Sequence, residues 1–222
     1  MSIITAITPS PRRNGRFDVF VDGKATATLS IDAVERLHLA VGAAVDDLLA
    51  GSLHREAALT TTYDRALNLL ALRARSAAEL QRSLIRKGEP ADQVTAAVER
   101  LVRAGFLDDA SFARQFARSR ALGAGLSRRR LQQELTRRGV ARDVADAAIE
   151  DVFVEEHVDE DGTLERVARK KLTTLERLDH ATQRRRLYAF LARRGYESDD
   201  VGRVVRALTS GADDQLIDGG SE

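Results

Sequence analysis

LQQELTRRG, Leu131 to Gly139, reads as the end of a helix: two leucines four residues apart, a basic pair, then glycine. The chain writes nearly the same phrase twice more, as LQRSLIRKG from Leu80 to Gly88 and LYAFLARRG from Leu187 to Gly195. Leucines at i and i+4 share one helix face. Glycine supplies the left-handed residue that closes a helix, and cations in the last turn complement its negative end. Ahead of the first copy, Ser76-Ala-Ala-Glu79 is a capping box. After it, Pro90 opens a helix whose stripe is Val94, Val98 and Leu101. Val144, Ala148 and Val152 follow the second copy in the same way, and Val201, Val205 and Leu208 the third. Helical patterns at 63–74, 111–122 and 163–178 precede the copies. The unit is therefore three helices, used three times, with the phrases starting at 80, 131 and 187.

Self-similarity at this period predicts a tandem helical array. The predicted class is mainly α: three tandem three-helix repeats in an elongated, curved array, preceded by a small N-terminal region that contains a β-hairpin. In that region Phe17, Val19 and Val21 alternate with Asp18, Phe20 and Asp22, and Asp22-Gly23 sits where a tight turn belongs. Ile3, Ile4 and Ile7 supply a further strand. Residues 31–55 carry short helical patterns, Ile31-Val34-Leu37 and Val45-Leu48-Leu49. The expected boundaries are 1–61 for the strand-rich region, 62–110, 111–160 and 161–210 for the repeats, and 211–222 for a disordered tail.

Composition agrees. The chain has 222 residues, 43% hydrophobic but only 5% aromatic, so its core is built from Ala, Leu and Val. There is no Cys, which excludes thiol and disulfide chemistry and suits a reducing, cytoplasmic setting. The sequence holds no apolar run of membrane-spanning length and no secretory signal.

Charge is where a purely structural account falls short. Formal net charge is +1, and all but four of the 35 cationic side chains are Arg. Residues 120–142 carry seven Arg against one acid, 143–165 carry ten acids and no Lys or Arg, and 166–194 carry ten Lys or Arg against two acids. Arg86-Lys87, Arg137-Arg138 and Arg193-Arg194 fall in expected last turns, where helix stability accounts for them. Arg128-Arg129-Arg130 and Arg184-Arg185-Arg186 are expected in first turns, where each cation opposes the positive helix end at about 0.3–1 kcal/mol. An anionic partner is one explanation; a solvated face is the other.

Catalytic constellations are missing. His38, His54, His157 and His180 are scattered, with no zinc-like spacing. His157-Val-Asp-Glu-Asp-Gly162 lacks the full series of a calcium loop. Gly123-Ala-Gly125 follows a helix and reads as a flexible turn, and Asp108-Asp109 as a helix start before Phe112. The expectation is no enzyme, no metal and no cofactor.

With these features in place, the chain resembles the RecX family, bacterial regulators of the RecA recombinase. The residues that carry the resemblance are Arg75-Ser76-x-x-Glu79-Leu80 with Lys87-Gly88, then Gly105-Phe-Leu-Asp-Asp-Ala-Ser-Phe-Ala113, then Glu134-Leu135-x-x-Arg138-Gly139-Val140, and more loosely Val158-Asp-Glu-Asp with Ala168-Arg-Lys-Lys171. They cover about 62–210. Ser83 departs from the family pattern, in which a basic residue is common there. The resemblance implies a non-enzymatic protein that binds along a RecA–single-stranded-DNA filament and inhibits its ATP hydrolysis, strand exchange and co-protease activity. It implies DNA, single-stranded first and double-stranded second, as a further partner, and a monomer. The residues expected at that interface are Arg75, Arg82, Arg86, Lys87, Arg128, Arg129, Arg130, Arg137, Arg138, Lys170, Lys171, Arg184, Arg185, Arg186, Arg193 and Arg194. The alternatives are a DNA-binding architectural module without a RecA target and an enzyme with an unrecognised helical active site.

Overall fold

A computed structural model describes residues 2–210, so the expected tail at 211–222 lies outside the described residues. The N-terminal strands β1 (Ser2–Pro9), β2 (Arg16–Val21), β3 (Lys24–Ser30) and the short β4 (Ala44–Val45) form one antiparallel sheet in the order β3-β2-β1-β4. Asp22 and Gly23 both have positive φ, 49° and 77°, which gives the tight hairpin between β2 and β3. Register places Val19 opposite Ile7 and Ala27, so one face gathers Ile4, Val19, Ala27 and Leu29 into a core. Val45 was expected on a helix, but it pairs with Ser2 across β4–β1. A helix start only two residues later hid that strand.

After α1 (Ile31–Arg36), Asp46 caps α2 (Asp47–Leu72) by accepting from the Leu49 amide at 2.8 Å. This helix is 26 residues long and runs straight through the expected boundary at 61/62. Its first half contributes Leu53 to the sheet core, and its second half contributes Ala66 and Leu69 to the core of the first repeat. No proline or turn signal interrupts the stretch, and Gly51 alone is too weak a breaker.

The first repeat continues with α3 (Ala77–Arg86) and α4 (Ala91–Arg103). The second consists of α5 (Asp109–Arg118), a π-helical turn at Ser119–Ala124, α6 (Arg128–Arg138) and α7 (Arg142–Glu155). The third consists of α8 (Glu160–Thr173), α9 (His180–Arg193) and α10 (Ser198–Thr209). The repeated phrase is the middle helix each time. Leu80, Leu84, Leu131, Leu135, Leu187 and Leu191 are all fully buried. Gly88, Gly139 and Gly195 follow at φ +88°, +87° and +90°, which close α3, α6 and α9. Each repeat has its own apolar cluster.

The chain divides into two compact units, Met1–Asp108 and Asp109–Glu222. The first holds the sheet and the first repeat. The second holds the other two repeats, which meet where α6 begins and α9 ends.

Candidate nucleic-acid interface

Arg128, Arg129 and Arg130 occupy the first turn of α6, as expected, with Ser127 as N-cap accepting from the Arg130 amide at 3.2 Å. The fold gives all three an internal partner. Arg128 pairs with Glu150 of α7, approaches Glu160 of α8 at 3.9 Å, and lies 4.2 Å from the centre of the Phe153 ring. Glu160 also accepts from the Arg128 amide at 3.2 Å, which places a carboxylate at the positive end of α6. Arg130 reaches Glu134 one turn on, at 3.1 Å. Arg129 donates from Nε to the Gly195 carbonyl at 3.0 Å and from Nη2 to that of Tyr196 at 3.4 Å. The expectation that these arginines carry an uncompensated cost is corrected. The amino end of α6 meets the carboxyl end of α9, a contact 66 residues apart that no local pattern reveals.

The same junction is tied from the other side. The Ser127 amide donates to the Arg194 carbonyl at 3.0 Å. Arg194 donates from Nε to the Ala124 carbonyl at 2.9 Å while its guanidinium lies 3.7 Å from the Phe190 ring centre. Burial lowers the Arg194 pKa, and neighbouring Arg193 adds to the shift. The buried Tyr196 hydroxyl donates to the Gly125 carbonyl at 3.1 Å, and burial pushes its pKa up to about 12. Gly123-Ala-Gly125 is therefore no loose turn. Gly123 and Ala124 complete the π-helical turn, and Gly125, at φ +59°, packs so closely on α8 that an added Cβ would sit 2.5 Å from Val167.

Arg184, Arg185 and Arg186 are displaced from their expected place. Asp179 caps α9, accepting from the Thr182 amide at 2.9 Å, so the helix begins at His180 and the three arginines fall in its second turn. Much of the expected dipole cost vanishes there. That amide bond holds the Asp179 carboxyl below its ordinary value, with a smaller contribution from Arg185. All three are exposed, and among the described residues none has an ion pair. Arg193 on the same helix is exposed as well, as is Lys170 on α8; Lys171 is half-buried with Nζ 5.4 Å from the Phe190 ring centre.

The remaining expected residues do not join this group. Arg75 donates to the Leu69 carbonyl at 3.3 Å and to the Ser83 hydroxyl at 3.2 Å, which ends α2 and lowers its pKa through burial. Ser83 is thus a buried acceptor for Arg75. Arg86 donates to the Arg82 carbonyl at 3.3 Å, and Lys87 is the exposed C-cap of α3. Arg137 and Arg138 close α6, with Arg138 lying 4.6 Å from the Phe116 ring centre. A further exposed cation lies outside the expected set: Arg166, one turn before Lys170 on α8. Its i, i+4 spacing was the available signal. Among the described residues no group of three His, Asp or Glu could hold a metal, and no helix is long and apolar enough to cross a membrane.

Profiles of the three RecX three-helix domains match in chain order. The first covers residues 63–101, the second 108–149 and the third 159–205. A regulatory protein RecX of Pelodictyon phaeoclathratiforme is 35% identical over 150 residues, which covers 67% of this chain and 90% of that one. The chain belongs to the RecX family. Another RecX, from Mycolicibacterium smegmatis, is 40% identical over 144 residues, covering 63% of this chain and 74% of its own length. A crystal structure of regulatory protein RecX superposes with a TM-score of 0.73 at 17% identity, covering 95% of this chain and all of that one. RecX from Lactobacillus salivarius gives 0.52 at 16% identity, over 68% of this chain and 96% of that one. At such identities the RecX structures speak for the fold. The three profile matches coincide with the helical repeats and leave the sheet outside them, whereas the first of the two crystal structures extends over it.

Proposed function

We propose that this RecX protein is a non-enzymatic regulator that binds the RecA–single-stranded-DNA filament. It inhibits the filament's ATP hydrolysis, strand exchange and co-protease activity, and it works as a monomer in the cytoplasm. Membership of a family whose named members are regulatory proteins carries the reading. It is supported by the exposed, unpaired arginines of α9, which offer cations to a polyanion without first breaking an internal bond. Repeated weak contacts on one chain gain from effective concentration, and a filament presents the repeated sites they need.

The deciding experiment is RecA turnover on single-stranded DNA, followed by ATP hydrolysis with and without the protein. Turnover should slow as the protein is added, while the protein alone hydrolyses no nucleotide and cuts no DNA. Unchanged turnover combined with tight binding to naked DNA would transfer the assignment to an architectural DNA-binding role.

A further inference from the structure

Where the second and third repeats meet, a cleft of about 220 Å³ opens between the π-helical turn, α8 and α9. Every ionisable side chain lining it is a cation: Arg166, Lys170 and Lys171 from α8 and Arg194 at the C-cap of α9. Among the described residues none of the four has a carboxylate partner. The contrast lies close by on the same elements. Arg169 pairs with Glu165, and Arg203 of α10 pairs with Asp161 and Asp200. Arg194 commits only Nε to the Ala124 carbonyl, and burial already disfavours its charge. Like charges held together in a recess repel one another unless an anion enters.

We propose that this cleft is a phosphate-binding site for the backbone of a single-stranded nucleic acid. Size argues for the phosphate. Pockets for drug-sized ligands run from about 300 Å³ upward, so this one takes a compact group with some water rather than a whole nucleotide. The extension beyond the cleft argues for a chain of phosphates rather than one ion. Arg186 and Phe190 on α9 and Arg194 at its C-cap recur at i, i+4, about 6 Å apart along the axis, and among the described residues Arg186 is exposed with no ion pair. Arg166 and Lys170 repeat that spacing on α8. A flexible single strand can lower one phosphate into a recess and keep its neighbours on the rim, which a stiff duplex cannot. The site stands apart from any action on RecA, because it needs only naked strand.

The test uses the full chain and a fluorescein-labelled oligothymidylate, with anisotropy read across a salt series. The pair Arg166→Gln and Lys170→Gln removes two lining cations and leaves the Arg194 bond intact. Affinity should fall by about tenfold at low salt. The log–log salt slope should fall by about 0.7 for each phosphate that is no longer neutralised, so by about 1.4 for the pair. Arg12→Gln with Lys24→Gln removes the same charge from the other unit and should change affinity less than about twofold. An unchanged slope in the first pair, or equal losses in both pairs, would overturn the site. If circular dichroism shows the first pair unfolded, Lys170→Gln alone replaces it, with an expected slope change of about 0.7. A duplex that binds as tightly as the single strand and loses as much would overturn the single-strand assignment. Strand binding that survives while the effect on RecA turnover is lost would give the cleft to an acidic protein surface and overturn it too.

Discussion

Gly195 meets a demand that Gly88 does not. Both have φ near +90°, so a side chain at either is strained. A Cβ on Gly88 would meet open space, whereas one on Gly195 would come within 2.5 Å of the Arg130 Cβ and 3.0 Å of the Arg130 backbone nitrogen. Gly88→Ala should therefore cost about 1–2 kcal/mol for the left-handed backbone alone. Gly195→Ala should cost roughly a further 1–3 kcal/mol, because backbone has to move. Denaturant melts of the two variants decide it, and equal losses would mean that α9 and α6 pack less closely in solution. The repeated phrase was legible because leucine spacing and glycine conformation are local properties. The extra burden on its third glycine was not, because Arg130 lies 65 residues earlier in the chain.

At the scale of elements, the junction of α6 with α9 is a reciprocal exchange of caps. Arg129 covers the last carbonyls around α9, and Arg194 covers the last carbonyl of the π-helical turn. Bonds from a charged donor are worth about 1.5–3 kcal/mol when shielded, and rather less for Arg129, which is half exposed. Arg129→Ala should lower the melting temperature of residues 109–222, the opposite of what relief at a positive helix end alone would give. A rise would return the residue to the role of an uncompensated surface cation. Tyr196 adds a pH signature to the same junction. Its hydroxyl is held protonated to about pH 12, against about 10 when unfolded. The contribution is complete below pH 10 and is lost as the pH rises through about 12. Tyr196 should lower stability at pH 11 by roughly 1 kcal/mol relative to pH 9, and Tyr196→Phe should show a correspondingly smaller drop, keeping only what Tyr63, also raised by burial, contributes. The arginines of α9 were misplaced by one turn for a related reason: Asp179 caps that helix, but Thr182 is an equally good local signal. The helices of the repeats were readable, whereas the short strand β4 was not; helix ends depended on which of two capping residues the tertiary packing chose.

The whole chain is two units with separate cores, and its charge layout follows that division only in part. The alternation of basic and acidic helices was visible in the sequence, and much of it proves to be internal. Arg114 pairs with Asp151 at 2.7 Å, Arg118 with Glu155 at 2.8 Å, and Arg128 with Glu150. Charge counts cannot separate cations engaged inside the fold from those left for a ligand; only the pairing in three dimensions does. Calorimetry should resolve two transitions, with Gly195→Ala lowering one and leaving the other in place. A single transition that shifts as a whole would mean that the two units unfold as one.

Within the first unit, α2 belongs to two cores at once. At 26 residues it is a strut about 39 Å long. A strut fixed at both ends transmits torque. A displacement of the sheet core around Leu53 has a continuous helical path to the packing around Ala66 and Leu69, with no break in the helix between them. Sheet and first repeat therefore share one lever, which Arg16 of β2 pins a second time through Asp64.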